Sequence, residues 1–166
     1  MDLAVKYRFF RHLCVGDDPD SERLYIWHIE SRKAANAKIN LGMDSKSGTD
    51  QYVTDCRNLL ISMANRGFDP AYAIPVDPDG ELLGGAHRVA CALALGIETV
   101  PVERKDQRVW APAWDRQWFV DNGMSASDLE RVAYKLHVLT DNRGLLSYRD
   151  RMEISKRKYV KPEQAA

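Results

Sequence analysis

Two glycines followed by a histidine and an arginine form the stretch of this chain best suited to chemistry. The stretch is Leu83-Gly84-Gly85-Ala86-His87-Arg88. Paired glycines let an anion approach the backbone closely, and the first N–H groups of a following helix lack partners within the helix. The Arg88 guanidinium suits a two-pronged contact with phosphate, and His87 adds a donor. These residues predict either a phosphate-binding turn or a tight turn with a surface arginine and a capping histidine.

A second candidate pair, His28 and Glu30, lies upstream. Residues 24–29 are rich in strand-forming types, so we predict a strand there. Residues two apart on a strand share one face, so His28 and Glu30 would form an oriented acid–base pair. In that pair Glu30 is the general base and His28 contacts substrate or phosphate. Two solvated polar residues at a strand end are the alternative, and Glu98 or Glu103 are the next candidates for the base.

The elements that must position these residues follow from apolar periodicity and turn residues. Helical spacing predicts helices over 3–13, 50–66, 89–95 and 125–139. Strand-forming residues bounded by turns predict strands at 24–29, 74–76, 81–83 and 99–102. The polar stretch 31–48 predicts a long loop. Four aromatic residues after the last strand either pack the C-terminal helix on the sheet or form a wall for an adenine or sugar ring; they are Trp110, Trp114, Trp118 and Phe119.

Composition limits the classes of function. With 166 residues, the chain is long enough for one domain with a substantial core. The 24 basic and 24 acidic residues give a net charge of zero, so nothing attracts nucleic acid in bulk and no DNA partner is expected. No apolar run is long enough to span a membrane, and the N-terminus does not resemble a signal peptide. The 3 cysteines form no metal-binding or disulfide pattern, so we expect a cytoplasmic protein.

The order of motifs over residues 67–102 resembles the ParB/sulfiredoxin superfamily. The matching motifs are Ile74-Pro75-Val76, Asp79-Gly80, Gly84-Gly85-x-His87-Arg88, Leu95-Gly96 and Val100-Pro101-Val102. The resemblance implies an α+β fold, with a small mixed sheet, packed helices and a C-terminal helical extension. It implies one domain over 1–148, with its motif core at 67–102 and its C-terminal helical part at 110–148. From its composition, we predict that 149–166 is a basic, partly flexible tail.

The branches of this superfamily differ in chemistry. Sulfiredoxins carry a catalytic cysteine where this chain has Ala86, and a methyl group cannot replace a thiolate. DNA-partition proteins carry a Gly-Glu-Arg-Arg-type motif and a further helix-turn-helix domain, for which too few residues remain here. The kinase branch matches better in the Gly-x-His-Arg motif. Many of its members have Asp at the position of Gly84, so this chain departs from the family pattern there.

The kinase resemblance implies the following function. ATP or ADP is bound with Mg²⁺ by the turn residues Gly84, Gly85, Ala86, His87 and Arg88. A phosphoryl group is transferred to a hydroxyl of an amino acid, sugar or polyol-like acceptor, with Glu30 as the base. The metal ligands are not identified by the sequence. The absence of a carboxylate at position 84 favours one alternative, a nucleotide-binding regulatory or scaffold module without turnover. A nucleotide hydrolase, in which water takes the place of the acceptor, is the other alternative.

Overall fold

The computed structural model describes residues 1–38, 48–108 and 114–140, and the side chains within 1–36, 48–108 and 114–134. This part of the chain is mostly helical. Its helices are α1 (Asp2–Val15), α2 (Asp20–Lys38), α3 (Thr49–Arg66), α4 (Ala86–Ala94), α5 (Arg116–Asp121) and α6 (Ala126–Thr140). A 3₁₀ turn (Pro70–Tyr72) precedes the first of two strands, β1 (Ile74–Val76) and β2 (Val102–Arg104).

The sheet of the described residues has two strands that pair in parallel. Ile74 lies opposite Val102, and Val76 lies opposite Arg104. The chain between the two strands contains α4, as a parallel connection requires. The strand predicted at 81–83 is reduced to one antiparallel bridge from Leu82 to Val76. The predicted mixed α and β composition is confirmed, with a sheet smaller than the helical layer around it.

Helix α1 is the centre of the core. It contacts α2, α3, α4 and α6, and nearly every turn of it is buried. Two charged side chains of α1, Lys6 and Arg8, are buried in the core. Lys6 is paired with the carboxylate of Asp2, and Arg8 with that of Asp18. Buried charges are tolerated only when they are paired in this way.

The strand predicted at 24–29 is wrong, because this segment lies inside helix α2. Its buried residues Leu24, Tyr25, His28 and Ile29 follow the spacing of a helix face rather than the alternation of a strand. Packing of that face against α1 overrides the local preference for a strand. Residues 31–38 of the predicted loop are also helical, and 39–47 lie outside the described residues.

The other predicted helices are confirmed, with small shifts at their ends. Gly67 follows α3 with a φ of 75°, in the region that favours glycine. Ser125 caps α6, because its hydroxyl accepts the N–H of Asp128 at 3.1 Å. None of the described helices combines the length and the apolar character needed to cross a membrane. The tail 149–166 lies outside the described residues.

Candidate functional site

A fixed turn leads from β1 towards the glycine motif. The buried carboxylate of Asp77 accepts the N–H groups of Asp79 and Glu81, each at 2.9 Å. The N–H of Leu83 then donates to the carbonyl of Pro75 at 3.0 Å, which holds the returning chain beside β1. Asp77 is therefore a turn-forming residue, and the glycines that follow start from a defined position.

The two glycines have different structural roles. Gly85 precedes α4 with a φ of 77°, and a Cβ there would lie 2.9 Å from Ile74 Cδ1 and from Arg88 Nη2. No other residue fits that position without strain. At Gly84 a Cβ would meet only Pro75 Cγ, at 3.6 Å, which is an ordinary contact. Position 84 therefore has room for a side-chain Cβ, and the glycine there is not required by close packing.

The first turn of α4 presents a positive electrostatic environment. Its N-cap residue, Gly85, has no side chain to cap the helix, and the first turn contains no acidic residue. The first N–H groups of a helix have no intrahelical acceptors, and the helix dipole adds partial positive charge there. The turn that begins at Gly84 therefore has the backbone chemistry of an anion site.

Arg88 lies between this turn and a neighbouring cleft. Its Nη1 donates to the carbonyl of Tyr72 and, at 3.4 Å, to that of Ala73. These contacts hold the segment before β1 against α4, so Arg88 has a structural role whether or not it binds an anion. The guanidinium carries five N–H donors, and the two contacts use only one of its nitrogens.

A cleft of about 450 Å³ lies beside Arg88, between the C-terminal half of α3 and residues 67–72. Its charged lining residues are Arg66, Asp69 and Arg88, and its aromatic ones are Phe68 and Tyr72. Asp69 Oδ1 accepts the N–H of Ala71 at 3.0 Å, which orients the carboxylate. This volume and lining are typical of a small-molecule site. All of its lining residues except Arg88 lie within 59–72. Sequence reasoning missed the cleft because no motif marks that segment and because Arg88 joins it only through the packing of α4.

His87 is connected to the protein interior. Its Nε2 lies 2.9 Å from the hydroxyl of Tyr25 on α2, and that hydroxyl lies 3.2 Å from Sγ of Cys56 on α3. The imidazole of the motif is therefore positioned by Tyr25 on α2, whose hydroxyl also contacts Cys56 on α3.

His28 and Glu30 do not share a face. Two residues that are two positions apart in a helix point about 200° away from each other around its axis. His28 is wholly buried, and its Nε2 lies 2.7 Å from Oδ1 of Asp2, whereas Glu30 is exposed. The predicted acid–base pair therefore lacks its structural basis, and a buried His28 cannot touch a substrate. The role of Glu30 as base stays a prediction.

The surroundings of His28 form a buried charge cluster around Asp2. The Asp2 carboxylate contacts Lys6 at 2.6 Å, His28 at 2.7 Å and Arg32 at 3.4 Å. Burial lowers the pKa of His28 to about 4, and its bond to Asp2 only partly opposes this. Burial also acts against the ionised form of Asp2, but the bond from His28 and the charges of Lys6 and Arg32 hold its pKa below the usual value. Because its groups pair with one another inside the protein, we expect the cluster to stabilise the fold.

The aromatic residues after β2 pack against α2. The Phe119 ring stacks on His28 with centroids 5.1 Å apart, and Trp118 meets Trp27 at 6.3 Å. Arg32 lies over the Trp114 ring at 4.9 Å. These contacts support the packing interpretation, with α2 rather than the sheet as the partner. Trp110 lies outside the described residues.

No family model, no curated protein and no solved structure matches the chain. The resemblance to the ParB/sulfiredoxin superfamily therefore stays a prediction. In the part of the chain that the structure describes, no three His, Cys, Asp or Glu side chains are grouped to hold a metal ion.

Proposed function

We propose that this protein is a nucleotide-dependent small-molecule kinase. It transfers a phosphoryl group from ATP or ADP to a hydroxyl of an amino acid, sugar or polyol-like acceptor. One observation carries the proposal: α4 begins after the Gly84–Gly85 turn with a glycine N-cap and no acidic residue in its first turn, and Arg88 of that turn lines a cleft. The ParB/sulfiredoxin resemblance of the same residues supports this choice among phosphate-binding functions.

The phosphates bind at the start of α4. The backbone N–H groups of Gly84, Gly85 and Ala86 face no competing carboxylate in the first helical turn. Arg88 adds a charge-assisted contact through the guanidinium nitrogens that Tyr72 and Ala73 do not use. Phosphoryl transfer depends mainly on positioning and charge neutralisation, which backbone donors and an arginine supply.

The acceptor occupies the cleft, and Asp69 is the carboxylate that the cleft offers as a general base. Asp69 lines the same space as Arg88, and its bond with the N–H of Ala71 orients it. Glu30 on α2 remains the alternative base. Mg²⁺ bound to nucleotide phosphates needs few protein ligands, and no residue of this chain is assigned to it.

The first test is nucleotide binding by Arg88→Ala, with Arg57→Ala as the matched control. Arg57 is an exposed arginine on α3 that pairs with Glu22 and does not line the cleft. We expect Arg88→Ala to bind ATP with Mg²⁺ about 10- to 100-fold more weakly, the loss of a hydrogen bond to a charged group. Calorimetric titration measures the affinity, and circular dichroism checks that the variant is folded. Equal ATP affinity in both folded variants would remove the phosphate site.

The second test identifies the base by comparing Asp69→Asn with Glu30→Gln. The asparagine keeps an oxygen for the N–H of Ala71, so the local turn is preserved. We expect Asp69→Asn to slow transfer by about 10²- to 10⁴-fold with little change in ATP affinity. A large loss in Glu30→Gln with normal turnover in Asp69→Asn would return the base to α2.

A second candidate function is favoured by Gly84. This position has room for a Cβ but no carboxylate, which suits a module that binds a nucleotide without turning it over. ATP binding without transfer to any acceptor and without phosphate release would support this module. Phosphate release without an added acceptor would support a nucleotide hydrolase.

A further inference from the structure

A buried hydrogen-bond chain runs from the interior to the histidine of the glycine turn. The Tyr25 hydroxyl lies 2.9 Å from Nε2 of His87 and 3.2 Å from Sγ of Cys56. Tyr25 is wholly buried, and its ring stacks on Phe9 with centroids 4.4 Å apart. The His87 ring meets the Tyr25 ring edge-on, at 5.8 Å. These contacts leave the hydroxyl little freedom relative to the imidazole.

The chemistry of the three groups sets the direction of the chain. The phenol has one proton and two neighbours, a sulfur that accepts weakly and a ring nitrogen that accepts well. The favoured order is therefore Cys56 S–H to Tyr25 oxygen, and Tyr25 O–H to His87 Nε2. In the reverse order the phenol would donate its proton to sulfur, the weaker acceptor. That order is unfavourable because hydrogen bonds are strengthened in the protein interior, so the stronger acceptor gains more. Burial raises the pKa of Tyr25, so the phenol keeps its proton.

We propose that Tyr25 is a positioning residue for the glycine turn, which holds His87 as a neutral imidazole with Nε2 unprotonated and the proton on Nδ1. The donor that this histidine contributes is then the Nδ1–H group. Its use towards a phosphate rests on the proposed function, whereas the position of the proton does not.

The position of the proton is tested on the wild-type protein by ¹⁵N nuclear magnetic resonance of its imidazoles, with His87→Gln to assign the signals. We expect Nδ1 of His87 to show a direct coupling to its proton, and Nε2 to resonate in the far-downfield range of an unprotonated nitrogen. A proton on Nε2 in the wild type would overturn the inference. This measurement requires no nucleotide and no variant of Tyr25.

The role of Tyr25 is tested with Tyr25→Phe, and Tyr7→Phe is the control. Tyr7 is also a buried tyrosine, on α1, and the charged groups that act on its hydroxyl are Arg11 and Asp17 rather than the groups of the Tyr25 chain. We expect only Tyr25→Phe to lose the fixed Nδ1–H form. We also expect only this variant to bind ATP about 3- to 10-fold more weakly, the value of one hydrogen bond.

The outcomes separate this inference from the proposed function. An Nδ1–H form in a protein that binds no nucleotide would leave the proton assignment standing and remove the kinase. A changed proton position in Tyr25→Phe with unchanged ATP affinity would overturn the positioning role, although the phosphate site would stand. If Tyr25→Phe does not fold, the wild-type spectrum alone decides the proton assignment.

Discussion

Replacement of His28 by glutamine is expected to remove a large part of the pH dependence of stability. Burial holds the pKa of His28 at about 4, against 6.5 for an exposed histidine. Between these two values the unfolded chain binds a proton at His28 and the native protein does not. Stability that depends on this group is therefore present above pH 6.5 and is lost as the pH falls towards 4.

The size of the effect follows from the two pKa values. The difference in proton binding lowers the free energy of unfolding by about 2 kcal/mol between pH 7 and pH 5. His28 is wholly buried, so solvent screening does not reduce this value. The side chains that face it are the carboxylate of Asp2, which also binds the cations Lys6 and Arg32, and the rings of Trp118 and Phe119. The two cations favour the neutral imidazole, in the same direction as burial.

The measurement is urea unfolding at pH 7, 6 and 5 of the wild type and of His28→Gln. Glutamine keeps an N–H donor for Asp2 but does not titrate. The difference between wild type and variant in how the free energy of unfolding changes with pH therefore isolates the contribution of His28. We expect the wild type to lose about 2 kcal/mol more than the variant over this range. The same change of the free energy of unfolding with pH in both proteins would refute the conclusion that His28 is a buried neutral imidazole within this charge cluster.

Two further predictions concern the turn and the cluster. Gly85→Ala should lower the free energy of unfolding by about 1–3 kcal/mol because of the positive φ and the close contacts of its Cβ, whereas Gly84→Ala should change it by less than about 0.5 kcal/mol. Urea unfolding measures both variants. Equal effects would contradict the different structural roles of the two glycines. Asp2→Ala should cost about 3–5 kcal/mol because it leaves buried cations unpaired, while Asp50→Ala, in the exposed first turn of α3, should cost less than about 1 kcal/mol. Thermal melts compare this second pair, and a small effect at Asp2 would show that the cluster does not stabilise the fold.

One part of the candidate site, the glycine turn, could be predicted from the sequence, and another part, the cleft, could not. The glycine turn at the start of α4 was visible in the sequence because its residue types act through their own backbone. The cleft was not visible, since Asp69 and Arg88 come together only when the 3₁₀ turn packs against α4. The link from His87 to Tyr25 also crosses between distant elements.

The sequence by itself determined the elements whose signals act over a few residues. Apolar spacing gave α1, α3 and α4, Gly67 marked the end of α3, and Ser125 marked the start of α6. Only the tertiary structure decided the conformation of 24–29, because burial of one face against α1 outweighs the strand preference of its residues. Because this segment is a helix and not a strand, His28 is buried next to Asp2 and Glu30 is exposed to solvent. The type of a side chain sets which partners it can accept, but packing decides which partners it meets.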